Sequence, residues 1–239
     1  MTEHKVILFD IDGTLVRAGG AGRKSLALAA EALYGRPGLT EGIDMAGRTD
    51  SCICGEVFYA ARGRYPGGRE FALLRNEYLK RLPGQVRKAV SAGRYRLPAG
   101  VKALVRRLSR EKGVLLGLGT GNFERGARIK LAPGGLNRFF RFGGFGCDGL
   151  DRRRILKAAV RRARRLAPAG SGEPEVFVVG DTPHDVSAGR EAGYATIGVG
   201  TGFVPWKELA ASRPDRLARD FRGIKKWLNW FGIQEKAGR

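Results

Sequence analysis

Residues 6–16, VILFDIDGTLV, decide how the chain is read. The apolar run Val6, Ile7, Leu8 and Phe9 has the length and composition of a strand buried on both faces. It ends in Asp10 and Asp12, separated by Ile11, and turns at Gly13 and Thr14. Period 2 places both carboxylates on one face and Ile11 on the other. Like charges held this close repel, which raises the pKa of one unless a cation intervenes. No Lys or Arg stands beside them in the sequence, so a metal ion or a distant cation is implied. Oxygen ligands suit a hard ion such as Mg²⁺.

Working outward, the runs 114–118, 176–179 and 195–199 share this strand character, and a weaker one lies at 139–145. Helical patterns fall between them. In 152–166, Ile155, Leu156, Ala159, Val160, Ala163 and Leu166 form one apolar stripe against a basic face; Val101, Leu104, Val105 and Leu108 do the same in 101–110. This alternation predicts an α/β fold with a Rossmann-like, mostly parallel sheet. About a hundred residues separate Phe9 from Val114, several times what one crossover needs. They read as helical: Ala/Leu-rich 25–34, a helix capped by Thr49, Asp50 or Ser51 carrying Ile53, Val57 and Ala61, and helical spacing of Phe71, Leu74, Tyr78 and Leu82. Gly/Pro joints are expected at 18–22, 35–38, 63–68 and 83–84. The expectation is a core of 1–17 and 93–222 with a small helical lobe, 18–92, inserted after the first strand. In the tail, 223–239, Ile224, Trp227, Leu228 and Phe231 line one face of a basic amphipathic helix. Such a helix touches a membrane or nucleic acid, or docks on its own domain; docking is the expectation.

The bulk numbers bound the rest. No apolar run approaches the length of a membrane span, and MTEHK leads directly into the first strand without a signal-peptide pattern. Three cysteines and two histidines make a poor zinc set and an uneven disulfide set, so a cytoplasmic location is expected. With 44 Lys and Arg against 23 Asp and Glu, the net charge is +21. A field of that sign attracts polyanions and anionic substrates; scattered arginines on solvated helix faces are the plainer reading.

Two more strand ends carry chemistry. VFVVGDTPHD supplies Asp181 and Asp185, with Pro183 in a first helical turn. Alone, these aspartates read as a cap and a first-turn acid; four aspartates at two strand ends of one sheet point to a ligand site instead. VLLGLGTGN supplies Thr120 and Asn122 in a Gly-rich turn suited to phosphate. A cation to offset phosphate charge is sought in Arg152, opening a helix in LDRRRIL, or in Lys130.

FDIDGTL, the Thr of GLGTGN, a basic residue before a helix and GDTPHD, in that order, resemble the haloacid dehalogenase (HAD) superfamily of hydrolases. An all-helical cap directly after the first strand is similar to the phosphoglycolate phosphatase and β-phosphoglucomutase group. The resemblance implies Asp10 as nucleophile, Asp12 as general acid/base, and Thr120 as a phosphoryl ligand. It implies Arg152, or Lys130, as the third-motif cation. It implies Mg²⁺ held by Asp10, the Asp12 backbone carbonyl and Asp181, with Asp185 acting directly or through water. Thr14 and Asn122 are further substrate-binding candidates. An acid at Asp12 points to phosphoryl transfer rather than dehalogenation. Arg48, in MAGRTD (45–50), is either a substrate contact or a surface arginine. The function expected is hydrolysis of a small phosphomonoester through an aspartyl-phosphate. The alternatives are a phosphatase or binding protein for nucleic acid or nucleotides, and a phosphomutase.

Overall fold

The computed structural model describes residues 4–168 and 170–234. Its strands, in chain order, are β1 (Lys5–Phe9), β2 (Arg17–Ala18), β3 (Tyr95–Arg96), β4 (Val114–Gly119), β5 (Phe142–Gly144), β6 (Glu175–Gly180), β7 (Ala195–Val199) and β8 (Arg216–Ala218). Six of them form one parallel sheet in the order β5-β4-β1-β6-β7-β8. The helices are α1 (Ala21–Tyr34), α2 (Asp50–Arg62), α3 (Gly68–Ser91), α4 (Val101–Leu108), α5 (Glu124–Leu131), α6 (Arg152–Arg164), α7 (Pro183–Glu191), α8 (Trp206–Ala211) and α9 (Ile224–Trp230).

Strand β1 is central, and its two faces feed two cores. Ile7, Phe9 and the following Ile11 pack with Leu104 of α4, Leu131 of α5 and Trp227 of α9. Val6 and Leu8 pack with Leu156, Ala159 and Val160 of α6 and Ala188 of α7. Helices on both faces explain why β1 is apolar at every position rather than at alternate ones. The Gly117-x-Gly119 spacing serves this packing, because a Cβ at Gly119 would lie 2.6 Å from Leu156 Cδ2.

The long interval after β1 forms a helical lobe with an apolar cluster of its own, in which Leu26, Ala29 and Ala30 of α1 meet Ile53, Val57 and Phe58 of α2 and Leu74, Tyr78 and Leu82 of α3. The chain enters and leaves it along an antiparallel ribbon, Arg17 opposite Arg96 and Ala18 opposite Tyr95. Gly35 and Gly63, both left-handed, end α1 and α2 at two of the expected joints. The joint expected at 83–84 is absent, because α3 continues through Pro83. Its buried stripe extends to Val86 and Ala89, and that burial outweighs the hydrogen bond proline cannot make.

The terminal helix α9 docks as expected: Trp227, Leu228 and Phe231 are wholly buried, and the Trp227 ring stacks on Phe221 at 5.0 Å. The end of the expected tail, 235–239, lies outside the described residues. No helix among the described residues is long and apolar enough to cross a membrane.

Candidate active site

Register brings the polar strand ends together. Phe9 pairs with Leu118 of β4 on one side and Val179 of β6 on the other. The residues just beyond, Asp10, Thr120 and Asp181, therefore meet at the carboxyl edge, where the strand order diverges on either side of β1. The Asp10 N–H donates to Val179 O at 3.0 Å, extending the ladder one residue past the strand. Asp185 arrives from the first turn of α7. The N–H and Oγ1 of Thr182, the N-cap, donate to Asp185 Oδ2 at 3.1 and 2.7 Å. The capping role expected of an aspartate here belongs to Thr182 and Asp185 together, and Asp185 Oδ1 remains to face the site.

Carboxylate oxygens of Asp10, Asp181 and Asp185 lie within 4.8 Å of one another, all buried. Burial first, and then the charge of Asp185, push the Asp10 pKa up to about 7. Asp181 is raised well above the carboxylate range by burial, Asp185 and Asp10. A cluster that resists ionising is short of positive charge, and three hard oxygen donors at this spacing fit a divalent ion such as Mg²⁺. Thr14 is wholly buried, and its hydroxyl donates to Asp181 Oδ1 at 2.8 Å, so it orients the cluster instead of lining the open cavity.

Both candidate cations reach the site and divide it between them. Arg152 Nη2 lies 3.3 Å from Asp10 Oδ1 and bonds Asp185 Oδ1, while Nη1 donates to Gly47 O of the lobe at 3.2 Å. Lys130 belongs to the acid: its Nζ is 2.5 Å from Asp12 Oδ2 and 2.5 Å from Asn122 Oδ1. The Asp12 side chain, 44% exposed, stands outside the acidic cluster and faces the cavity. Asn122 Nδ2 donates at 2.9 Å to both Asp12 Oδ2 and Thr120 Oγ1, and the Thr120 hydroxyl in turn bonds Asp10. Asn122 is thus a brace between the two strand ends. Arg48 pairs with Glu56 within the lobe and donates to Asp44 O, with its guanidinium at the cavity wall.

In the sequence Asp50 is one of three possible caps, and nothing there marks it as a site residue. Thr49 is the N-cap of α2, its hydroxyl accepting from Cys52 N–H. Asp50 is released to turn into the site, where burial raises its pKa to about 6 against the pull of Lys130 and the Phe123 N–H. The signal available was an acid in a first helical turn, which looks the same whether it faces solvent or a buried lysine.

Between lobe and sheet edge lies a cavity of about 1010 Å³, lined by Asp10 and Asp12 and by the basic residues Arg23, Lys24, Lys88 and Arg94.

The sequence profile of the haloacid dehalogenase-like hydrolases matches residues 7–190. No curated protein sequence matches the chain. Among solved structures, a predicted phosphoglycolate phosphatase from Haemophilus somnus 129pt is 22% identical, with a TM-score of 0.64 over 95% of this chain and 99% of its own. CbbY from Rhodobacter sphaeroides, in complex with phosphate, is 19% identical, with a TM-score of 0.67 over 92% and 96%. YfnB from Bacillus subtilis, bound to magnesium, is 17% identical, with a TM-score of 0.59 over 97% and 100%. At these identities the structural likeness speaks for the fold.

Proposed function

The chain belongs to the haloacid dehalogenase-like hydrolases, and from that membership we propose that it is a Mg²⁺-dependent phosphatase of small phosphomonoesters. The observation that carries this reading is the separation of two aspartates only two residues apart. Asp10 lies in the acidic cluster, while Asp12 is held by Lys130 and Asn122 toward the cavity. In this reading Asp10 attacks and Asp12 moves a proton.

An Asp10 carboxylate oxygen attacks phosphorus, and the bond to the leaving oxygen breaks. The leaving alkoxide takes a proton from Asp12. Asp12, now ionised, removes a proton from water, whose oxygen attacks the aspartyl-phosphate and frees phosphate and Asp10. Thr120 and Arg152 hold phosphoryl oxygens. Asp10, Asp181 and Asp185, with the Asp12 carbonyl, would hold Mg²⁺, whose charge offsets that of the carboxylates and phosphoryl group. The lobe, 18–92 in this reading, closes over a core of 1–17 and 93–222, and its basic lining favours an anionic, phosphoglycolate- or sugar-phosphate-like substrate. Three free cysteines agree with a cytoplasmic setting. The test is a panel of phosphomonoesters assayed with Mg²⁺ and with EDTA. Phosphate release that needs the metal supports the reading, and turnover of none of them sinks it.

A further inference from the structure

Asp12 is gripped on one oxygen only. Lys130 Nζ and Asn122 Nδ2 both bond Oδ2, at 2.5 and 2.9 Å, and among the described residues no side chain bonds Oδ1. Two donors on one oxygen fix the carboxylate plane and leave Oδ1 turned to the cavity. Lys130 itself lies buried, and it comes from the last turn of α5. A lone buried ammonium is unfavourable, so its position depends on its surroundings. Asn122 Oδ1 accepts from it at 2.5 Å, and the charges facing it are Asp12, Asp50 and Asp10.

Asp50 comes from the lobe, and it is anchored from several directions. Its Oδ2 accepts the Phe123 N–H at the start of α5 at 2.9 Å, and its own N–H donates to Gly121 O at 2.8 Å. The Tyr78 hydroxyl of α3 also interacts with its carboxylate. The next residue, Ser51, donates to Gly146 O at 2.7 Å. One lobe segment therefore brings an anchored carboxylate to Lys130, beside that of Asp12.

We propose that Lys130 is a positioning residue that aims Asp12 Oδ1 at the leaving oxygen, and that Asp50 of the lobe holds Lys130 in place to do so. This rests on the phosphatase reading above. The lobe then contributes to catalysis as well as to substrate choice, since the acid is correctly aimed only while Asp50 is docked on the 121–123 turn.

Leaving-group dependence isolates this role. An aryl oxide departs without a proton, whereas an alkoxide needs one from the acid. We would measure kcat/KM of the parent, Lys130→Met and Asp50→Asn with Mg²⁺ on 4-nitrophenyl phosphate and on glycerol 2-phosphate, with the melting temperature of each variant. For Lys130→Met the expected loss on the alkyl ester exceeds that on the aryl ester by about 10-fold or more. Asp50→Asn is expected to shift the ratio in the same direction by a smaller factor. Equal losses on both esters, as a structural or phosphoryl-binding role would give, overturn the proposal. So does a gain on the alkyl ester. If Lys130→Met does not fold, Asp50→Asn decides alone, and an unchanged ratio there refutes the link to the lobe. A parent inactive on both esters overturns the phosphatase reading, and this inference with it.

Discussion

Asp10 is 6% exposed, and the charges that surround it are what make it testable. Replacing it by Asn keeps the shape and removes the nucleophile, so kcat is expected to fall by roughly 10³-fold or more on every ester the parent turns over. Steady-state phosphate release checks this, and an Asn variant as fast as the parent refutes the mechanism. Asp12→Ala removes the proton carrier and is expected to lower kcat by about 10²- to 10⁴-fold. The same acids set a pH dependence of stability. In the folded protein burial and Asp185 push the Asp10 pKa up from the ordinary carboxylate range to about 7, and that of Asp181 is raised too. A raised acid stabilises the fold at low pH, and that stability is lost as pH climbs through the folded pKa. Metal-free protein is therefore expected to melt at a lower temperature at pH 8 than at pH 5.5. Mg²⁺, binding the ionised form, should raise the melting point more at pH 8. Thermal scans in EDTA and in MgCl₂ at the two pH values check this; a shift independent of pH contradicts it. Asp10, Asp12, Thr120, Asp181 and Asp185 were legible because a strand end fixes where its next residue points. Lys130 and Asp50 were not assigned their places, because their meeting depends on a lobe docking 80 residues away in sequence from α5.

At the scale of elements, β1, β4, β6 and β7 could be read to within a residue or two from continuous apolar runs, since helices cover both faces. Strand β8 was missed: Arg216–Ala218 is three residues at the sheet edge, one of them exposed, too little pattern for a period to show. The ribbon β2–β3 is shorter still. Helix α9 offers a stability test. Trp227 is wholly buried against Phe221 and Phe231, so Trp227→Ala is expected to cost about 3–5 kcal/mol, read as a lower denaturant midpoint. A variant as stable as the parent would show that α9 does not cover the core. The turn that receives the lobe is as exacting. A Cβ at Gly121 would lie 2.6 Å from Arg48 O and 2.9 Å from Thr49 Cα. Gly121→Ala is expected to push the lobe off its seat and lower kcat/KM while leaving the core folded, as circular dichroism would confirm.

For the molecule as a whole, the charge of +21 is the feature the fold explains least. Much of it lies on α6, where arginines face solvent opposite the stripe of Ile155, Leu156 and Ala159. A small part is concentrated where it matters: Lys130 is buried, the Arg152 side chain is largely covered, and Arg23, Lys24, Lys88 and Arg94 line the cavity. The reading of a small anionic substrate predicts that activity declines gently with salt. Tight binding of DNA or RNA that collapses steeply with salt would favour the nucleic-acid alternative instead.

The ribbon formed by β2 and β3 has a consequence for engineering and descent. Because Arg17 stands opposite Arg96, the chain departs from the core and returns to it one strand spacing apart, about 4.8 Å. A two-residue turn spans such a gap, so replacing the lobe by one is expected to leave the Rossmann-like sheet folded, as circular dichroism would check. What a transplant would forfeit is the carboxylate at position 50. A donor cassette chosen only for the pocket it brings would leave Lys130 without its counterweight, so exchange of specificity between relatives must carry that one acid along.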